Sequence, residues 1–140
     1  MTRSTPRDLY DFFYMINANI FNETEINKIK RCAVFYRAIS NEDGMFDFNL
    51  DNLDSITQNN IKRFLIPVIN AKEFFSLSEA KQAINDFFNE YFVLGENESM
   101  FIEQFKQKKY VPELLYDGDE LKRIKNHPMA LWKTRKTTKP

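Results

Sequence analysis

One cysteine, three glycines and one histidine are all that 140 residues hold of the types on which most recognisable sites are built. A single thiol, Cys32, excludes an intramolecular disulfide and a thiolate metal cluster. Its helical neighbours Ile29, Phe35 and Tyr36 make it an expected core residue. Gly44, Gly95 and Gly118 each fall where a helical pattern has ended, so no glycine-rich loop is available to cradle a phosphate. The longest apolar runs, such as "FLIPVI" at 64–69, are far too short to cross a bilayer. Charge of one sign is also lacking: 20 Lys and Arg meet 20 Asp and Glu, which gives no overall bias toward nucleic acid or an anionic membrane. No charged leader with an apolar stretch precedes a cleavage site. A cytoplasmic protein with no membrane partner is the expectation.

What is abundant is apolar and aromatic: 43% hydrophobic residues, 15% aromatic, 14 of them Phe. That composition belongs to a packed core rather than a disordered chain, and 140 residues suffice for one domain burying roughly two thirds of its unfolded surface. β-branched runs and hairpin signals are scarce, so the fold class expected is all-α, a compact bundle of about five to seven helices over 1–132. A basic flexible tail over 133–140 would carry Lys133, Arg135, Lys136 and Lys139.

The first helix should run from Pro6 to Asn17. Thr5 can cap it, Pro6 suits the first helical position and Asp8 can reach back in a capping box. Leu9, Phe12, Phe13, Ile16 and Ile20 form its apolar stripe. A second helix starts after Asn22 or Thr24 and reaches Ser40, its period marked by Ile26, Ile29, Ala33, Tyr36 and Arg37. "NEDGMFDFNLDNLDS" reads as a loop with a turn near Leu50–Leu53. The third helix, "ITQNNIKRFLIPVIN", should break near Pro67. Ser76, with Glu79 in the reciprocal position, opens a fourth whose apolar side is Leu77, Ala80, Ile84, Phe87, Phe88 and Phe92. The fifth carries Met100, Phe101, Phe105 and Tyr110. "VPELLY" is a brief helical turn, "DGDELKRIKN" another helix, and "MALW" a last turn after Pro128.

Few residues could carry chemistry. Asp8 and Asp11 lie about 60° apart on one helix, beside Arg7. Two readings of them stand: a cap and a carboxylate at the positive end of the helix dipole, or one rim of a cleft. Two acids are too few for a divalent ion, so no metal site is expected. Arg7 could hold a phosphate or form a surface pair. His127 would suit proton transfer, but at a helix end before proline it is expected to cap a C-terminus. The rings recur at helical spacing among acids, which favours packing over base stacking.

Two stretches, "TPRDLYDFFYM" (Thr5–Met15) and "KYVPELLYDGDELKRIKNHPMALWKT" (Lys109–Thr134), resemble the nucleotidyltransferase toxins of the AbiEii/AbiGii abortive-infection family. "LDNLDSITQNNIKRFLIPVI" and "FVLGENESMFIEQF" are similar to that family's pattern too, in the same order. The resemblance implies a relation to phage-defence toxin–antitoxin proteins that transfer nucleotides with Mg²⁺ and an NTP. Family members are usually about twice as long, with a catalytic first half holding a glycine loop and a metal-binding acid pair. This chain matches the helical second half, and by that resemblance Asp8, Asp11 and Arg7 would face the nucleotide site. The chain alone is then expected to be catalytically silent and to need no cofactor. A remnant or the second piece of a split gene would fit, with apolar surface left for self-association. Expected partners are a catalytic first half or a cognate antitoxin. The alternative is a free-standing helical module binding protein or RNA.

Overall fold

The computed structural model describes residues 5–40, 50–70 and 74–135. In chain order the elements are α1 (Pro6–Asn17), α2 (Glu23–Ser40), α3 (Asp51–Asp54), α4 (Gln58–Asn60), α5 (Leu77–Tyr91), α6 (Glu96–Lys106), α7 (Gly118–Ile124) and α8 (Pro128–Thr134). A π-helical turn (Ile61–Leu65) and a 3-10 turn (Ile66–Val68) follow α4, and a second 3-10 turn (Pro112–Leu114) follows α6. The fold is all-α, with no strand among the described residues. Packing groups the chain into two compact units: Met1–Thr24 with Phe48–Val93, and Glu25–Asp47 with Leu94–Pro140.

In the first unit, α1 begins as expected. The Thr5 hydroxyl accepts from the Asp8 N–H, Asp8 reaches back to the Thr5 backbone, and Pro6 occupies the first turn, where its missing N–H costs nothing. The helix stops at Ala18, and Asn19 adopts φ +47, a left-handed geometry that Asn tolerates better than most residues. Leu9 is buried with Leu53, Ile56, Ile61, Leu65, Phe75, Ala80 and Ile84, and Phe12, Phe13, Ile16 and Phe88 pack against them. Phe12 sets its edge against Phe87 and Phe88 at 5.7 and 6.0 Å. Phe13 does the same to Phe75 at 5.8 Å. Edge-to-face rings add to what their burial contributes. Ile20, expected on this stripe, lies past the helix end and is exposed.

Thr57 and Asn60 form a second reciprocal cap, opening α4. The third helix does give way at Pro67, by changing pitch rather than by a clean stop. Pro67 cannot donate, and its ring would crowd the carbonyl four residues back. The turn before it widens, with the Ile66 N–H reaching Ile61, and the chain then tightens to 3-10 through Val68. Ser76 caps α5 through its hydroxyl; the reciprocal bond expected of Glu79 is not formed. Ala80, Ile84 and Phe92 are buried and Leu77, Phe87 and Phe88 half-buried, as the apolar spacing required.

In the second unit, the register of α2 differs from the expected one. Its buried residues are Ile26, Val34, Phe35, Ala38 and Ile39, while Ile29 and Tyr36 are exposed. Phe35 is completely buried, with the rings of Tyr36, Phe101, Tyr110, Tyr116 and His127 between 5.2 and 6.3 Å from its own. Cys32, on another face of α2, is exposed rather than core. On α6, Phe101, Ile102 and Phe105 are buried and Met100 is exposed.

The α6 helix ends at Lys106, before Tyr110, in a left-handed turn at Lys108 (φ +63) with the Lys109 N–H bonded to the Gln104 carbonyl, the pattern that usually recruits glycine. Arg31 donates to the Leu115 carbonyl at 3.1 Å and the Tyr116 hydroxyl donates to the Arg31 carbonyl at 3.3 Å. That double bond ties α2 to the turn before α7. Pro128 starts α8 rather than merely interrupting its predecessor, and the helix carries on through Lys133 and Thr134, beyond the expected boundary at 132. Of the expected tail, Lys136 and Lys139 lie outside the described residues, as does the part of the expected loop over 41–49.

Candidate functional site

Asp8, Asp11 and Arg7 all sit on the first two turns of α1, exposed. Asp8 is engaged locally. Its Oδ2 accepts from the Thr5 N–H at 2.9 Å and from the Thr5 hydroxyl at 2.7 Å, and its own N–H donates to the Thr5 hydroxyl at 3.2 Å. Arg7 Nε lies 3.8 Å from Asp11 Oδ2, one turn away, with both side chains mostly in solvent. A pair of that kind is worth a few tenths of a kcal/mol (about 0.3–0.5).

One acid closes the helix start and the other faces an arginine. Magnesium demands near-octahedral oxygen coordination, and no group of three His, Cys, Asp or Glu that could hold a metal occurs among the described residues. Thr5→Ala and Asp8→Ala should each lower stability by about 1 kcal/mol, as cap losses do, measured as a shift in the urea midpoint. A null effect on stability from Asp8→Ala would remove the capping assignment.

The other cluster that sequence reasoning touched surrounds His127. It stands at the N-cap position of α8 but makes no side-chain cap bond. Its ring meets Phe35 edge-on at 5.2 Å and Tyr36 at 6.2 Å, and its Nδ1 is buried without a hydrogen-bond partner. The expected C-terminal capping by the side chain is thus replaced by aromatic packing. The backbone does that work instead, the His127 N–H donating to the Ile124 carbonyl at 2.9 Å.

Cys32 lies at the Tyr116 hydroxyl, not at His127, so no thiol–imidazole pair forms among the described residues. Burial, then the neighbouring Cys32, Tyr36 and Tyr110 groups, push the Tyr116 phenol well above its ordinary 10.0. Burial and then Glu113 do the same to Tyr110, whose hydroxyl donates to the Ile124 carbonyl at 2.6 Å. Both phenols stay protonated when folded, and the unfolded chain loses those protons first.

The folded state therefore binds more protons above pH 10, so stability falls as pH rises through and beyond that value and is unaffected by these groups at neutral pH. In Tyr110→Phe with Tyr116→Phe the alkaline slope of unfolding free energy should be shallower than in the parent protein. A slope unchanged by the double substitution would place the effect elsewhere.

A depression of about 380 Å³ is lined by Leu94, Ser99, Ile102, Glu103 and Lys106. None of the candidate acids lines it, and its mixed lining converges on no reacting position. No helix among the described residues is long and apolar enough to cross a membrane.

No protein-family profile matches the chain, and neither a curated protein nor a solved structure matches it significantly.

Proposed function

We propose that the chain is a helical protein-docking module of the kind that forms the second half of AbiEii-like nucleotidyltransferase toxins, and that it transfers no nucleotide by itself. The observation that carries this reading is the state of the acid pair. Nucleotidyl transfer needs metal ions that neutralise charge developing on phosphate, and groups that hold the triphosphate in line. Asp8 instead closes a helix cap and Asp11 faces Arg7. Support for the family comes from the order and spacing of "RDLYD", "PELL" and "HPMALWK". A cytoplasmic location, and a partner that is either a catalytic first half or an antitoxin, go with that reading.

The test is incubation of the purified chain with labelled nucleoside triphosphates, Mg²⁺ and tRNA. No incorporation is expected. Label transfer that disappears in Asp8→Ala or Asp11→Ala would overturn the proposal. The alternative, an RNA-binding module, draws on the basic C-terminal stretch; salt-sensitive RNA binding lost on removing residues 133–140 would favour it.

A further inference from the structure

The balanced charge of the whole chain conceals a sharp asymmetry. The last acidic residue is Glu120. The final twenty residues hold seven cations and no acid, and the 120 before them hold 13 cations against 20 acids. The described part of that basic stretch is the end of α7 and all of α8. Lys122 pairs with Asp119 and Lys125 with Glu113, both in solvent. Arg123 and Arg135 make no ion pair among the described residues.

Within this basic setting α8 turns Ala130 inward and leaves Met129, Leu131 and Trp132 outside, Trp132 with 62% of its surface accessible. At 100° per residue Leu131, Arg135, Pro128, Trp132 and Met129 fall on one arc of the helix, opposite Ala130 and Thr134. That arc is an apolar strip centred on the chain's one tryptophan, with an arginine on it and Lys133 bordering it beside Met129.

Trp, Met and Arg are the types enriched at the centre of protein interfaces and among the residues that dominate their energy. A phosphate-backbone surface would use the cations and could stack a base on Trp132, but it has no use for an exposed Leu131 and Met129 beside it. Arg123 and Arg135, which make no ion pair among the described residues, call for an acidic counterpart, and a strip of three apolar side chains calls for an apolar recess. We infer that the exposed face of α8 is the docking surface of this module, and that its partner is an acidic protein surface with an apolar recess that receives Trp132.

This inference rests on the docking reading above. Failure of the experiment below would leave the transfer assay, which involves neither Trp132 nor a peptide, to judge that reading separately.

Because Trp132 is the chain's one tryptophan, its fluorescence reports this face directly. The probe is a synthetic helical peptide with leucines at i, i+3, i+4 and i+7 and glutamates flanking them. A control peptide has serine for each leucine. The leucine peptide should shift Trp132 emission to the blue and bind at least about tenfold more tightly than the control. Its affinity should fall as salt is raised, since exposed charges are screened. Trp132→Ala, followed by anisotropy of labelled peptide, should weaken binding about tenfold or more, and Arg135→Glu should weaken it with the fold unchanged by circular dichroism. Absence of binding, equal binding of both peptides, or binding indifferent to Trp132→Ala would overturn the inference. So would tighter binding of a single-stranded RNA oligomer, or of phosphatidylserine vesicles, than of the leucine peptide.

Discussion

Phe35→Ala lowers the unfolding free energy of the unit built on α2 and α6 by about 3–5 kcal/mol, the range for deleting a fully buried phenylalanine. Phe35 is the ring on which five others in that unit converge: Phe101 and Tyr110 at 6.3 Å, Tyr116 at 6.0 Å, Tyr36 at 5.3 Å and His127 at 5.2 Å. With no accessible surface, its removal opens a cavity walled by large rings, and stacked rings cannot collapse into it without losing their own edge-to-face contacts. Native domains are stable by only about 5–15 kcal/mol, so the variant should be partly unfolded at physiological temperature. Urea titration followed by Trp132 fluorescence is the measurement. Phe35→Leu, which fills more of the space, should cost less than half as much. A loss below about 1 kcal/mol for the alanine variant would show that Phe35 does not organise this core.

Where the fold was legible in the sequence, several local signals agreed. At α1 the Thr5–Pro6–Asp8 cap and the Leu9, Phe12, Phe13, Ile16 spacing point to the same start and the same buried face. At α5 the run from Ser76 through Phe92 does so as well. At α2 they conflicted. Its true stripe steps by four through Ile26, Lys30, Val34 and Ala38, and a lysine on that line steers a reading of hydrophobic period toward Ile29, Ala33 and Tyr36. What licenses Lys30 there is a distant carboxylate, which local pattern cannot supply. Cys32 was misplaced by the same error of register.

His127 was misplaced for a different reason. Its helix-end position is visible in the sequence, but its contact with Phe35 is tertiary. The candidate acids were legible as a pair on one helix; the cap at Asp8 belongs to one of the two readings the spacing allowed, whereas the ion pair of Asp11 with Arg7 does not, since that reading set Asp11 at the helix dipole. The exposed strip on α8 was missed because "MALW" reads equally well as a buried turn; only the placement of Ala130 inward shows which side faces out.

Glu98→Ala should cost about 2 kcal/mol, below the range for breaking a fully buried ion pair by removing one partner, because both side chains are only partly buried. Lys30 Nζ and Glu98 Oε1 are 3.3 Å apart, and each side chain retains 13% of its accessible surface, against 41% or more for the side chains of every other ion pair among the described residues. Glu98 stands in the first turn of α6, where the helix dipole also favours a carboxylate. Gly95, at the N-cap, leaves room for that carboxylate: a Cβ there would meet Glu98 Oε2 at 2.6 Å, and the flexible end of the glutamate would turn aside at small cost.

Three variants then separate the pair's attraction from the cost of burying it. Glu98→Ala removes the carboxylate that lies 3.3 Å from the lysine charge on the apolar stripe of α2. Lys30→Met with Glu98→Leu removes both charges and should restore stability to within about 1 kcal/mol of the parent, or exceed it. Gly95→Ala, which leaves both charges and only turns the flexible end of Glu98, should cost about 1 kcal/mol or less. Raising salt should change none of these differences much, since a pair this shielded is screened weakly. Should the double variant prove as unstable as Glu98→Ala, the charge on Lys30 would not be what the glutamate is there to balance, and the register of α2 would need another cause.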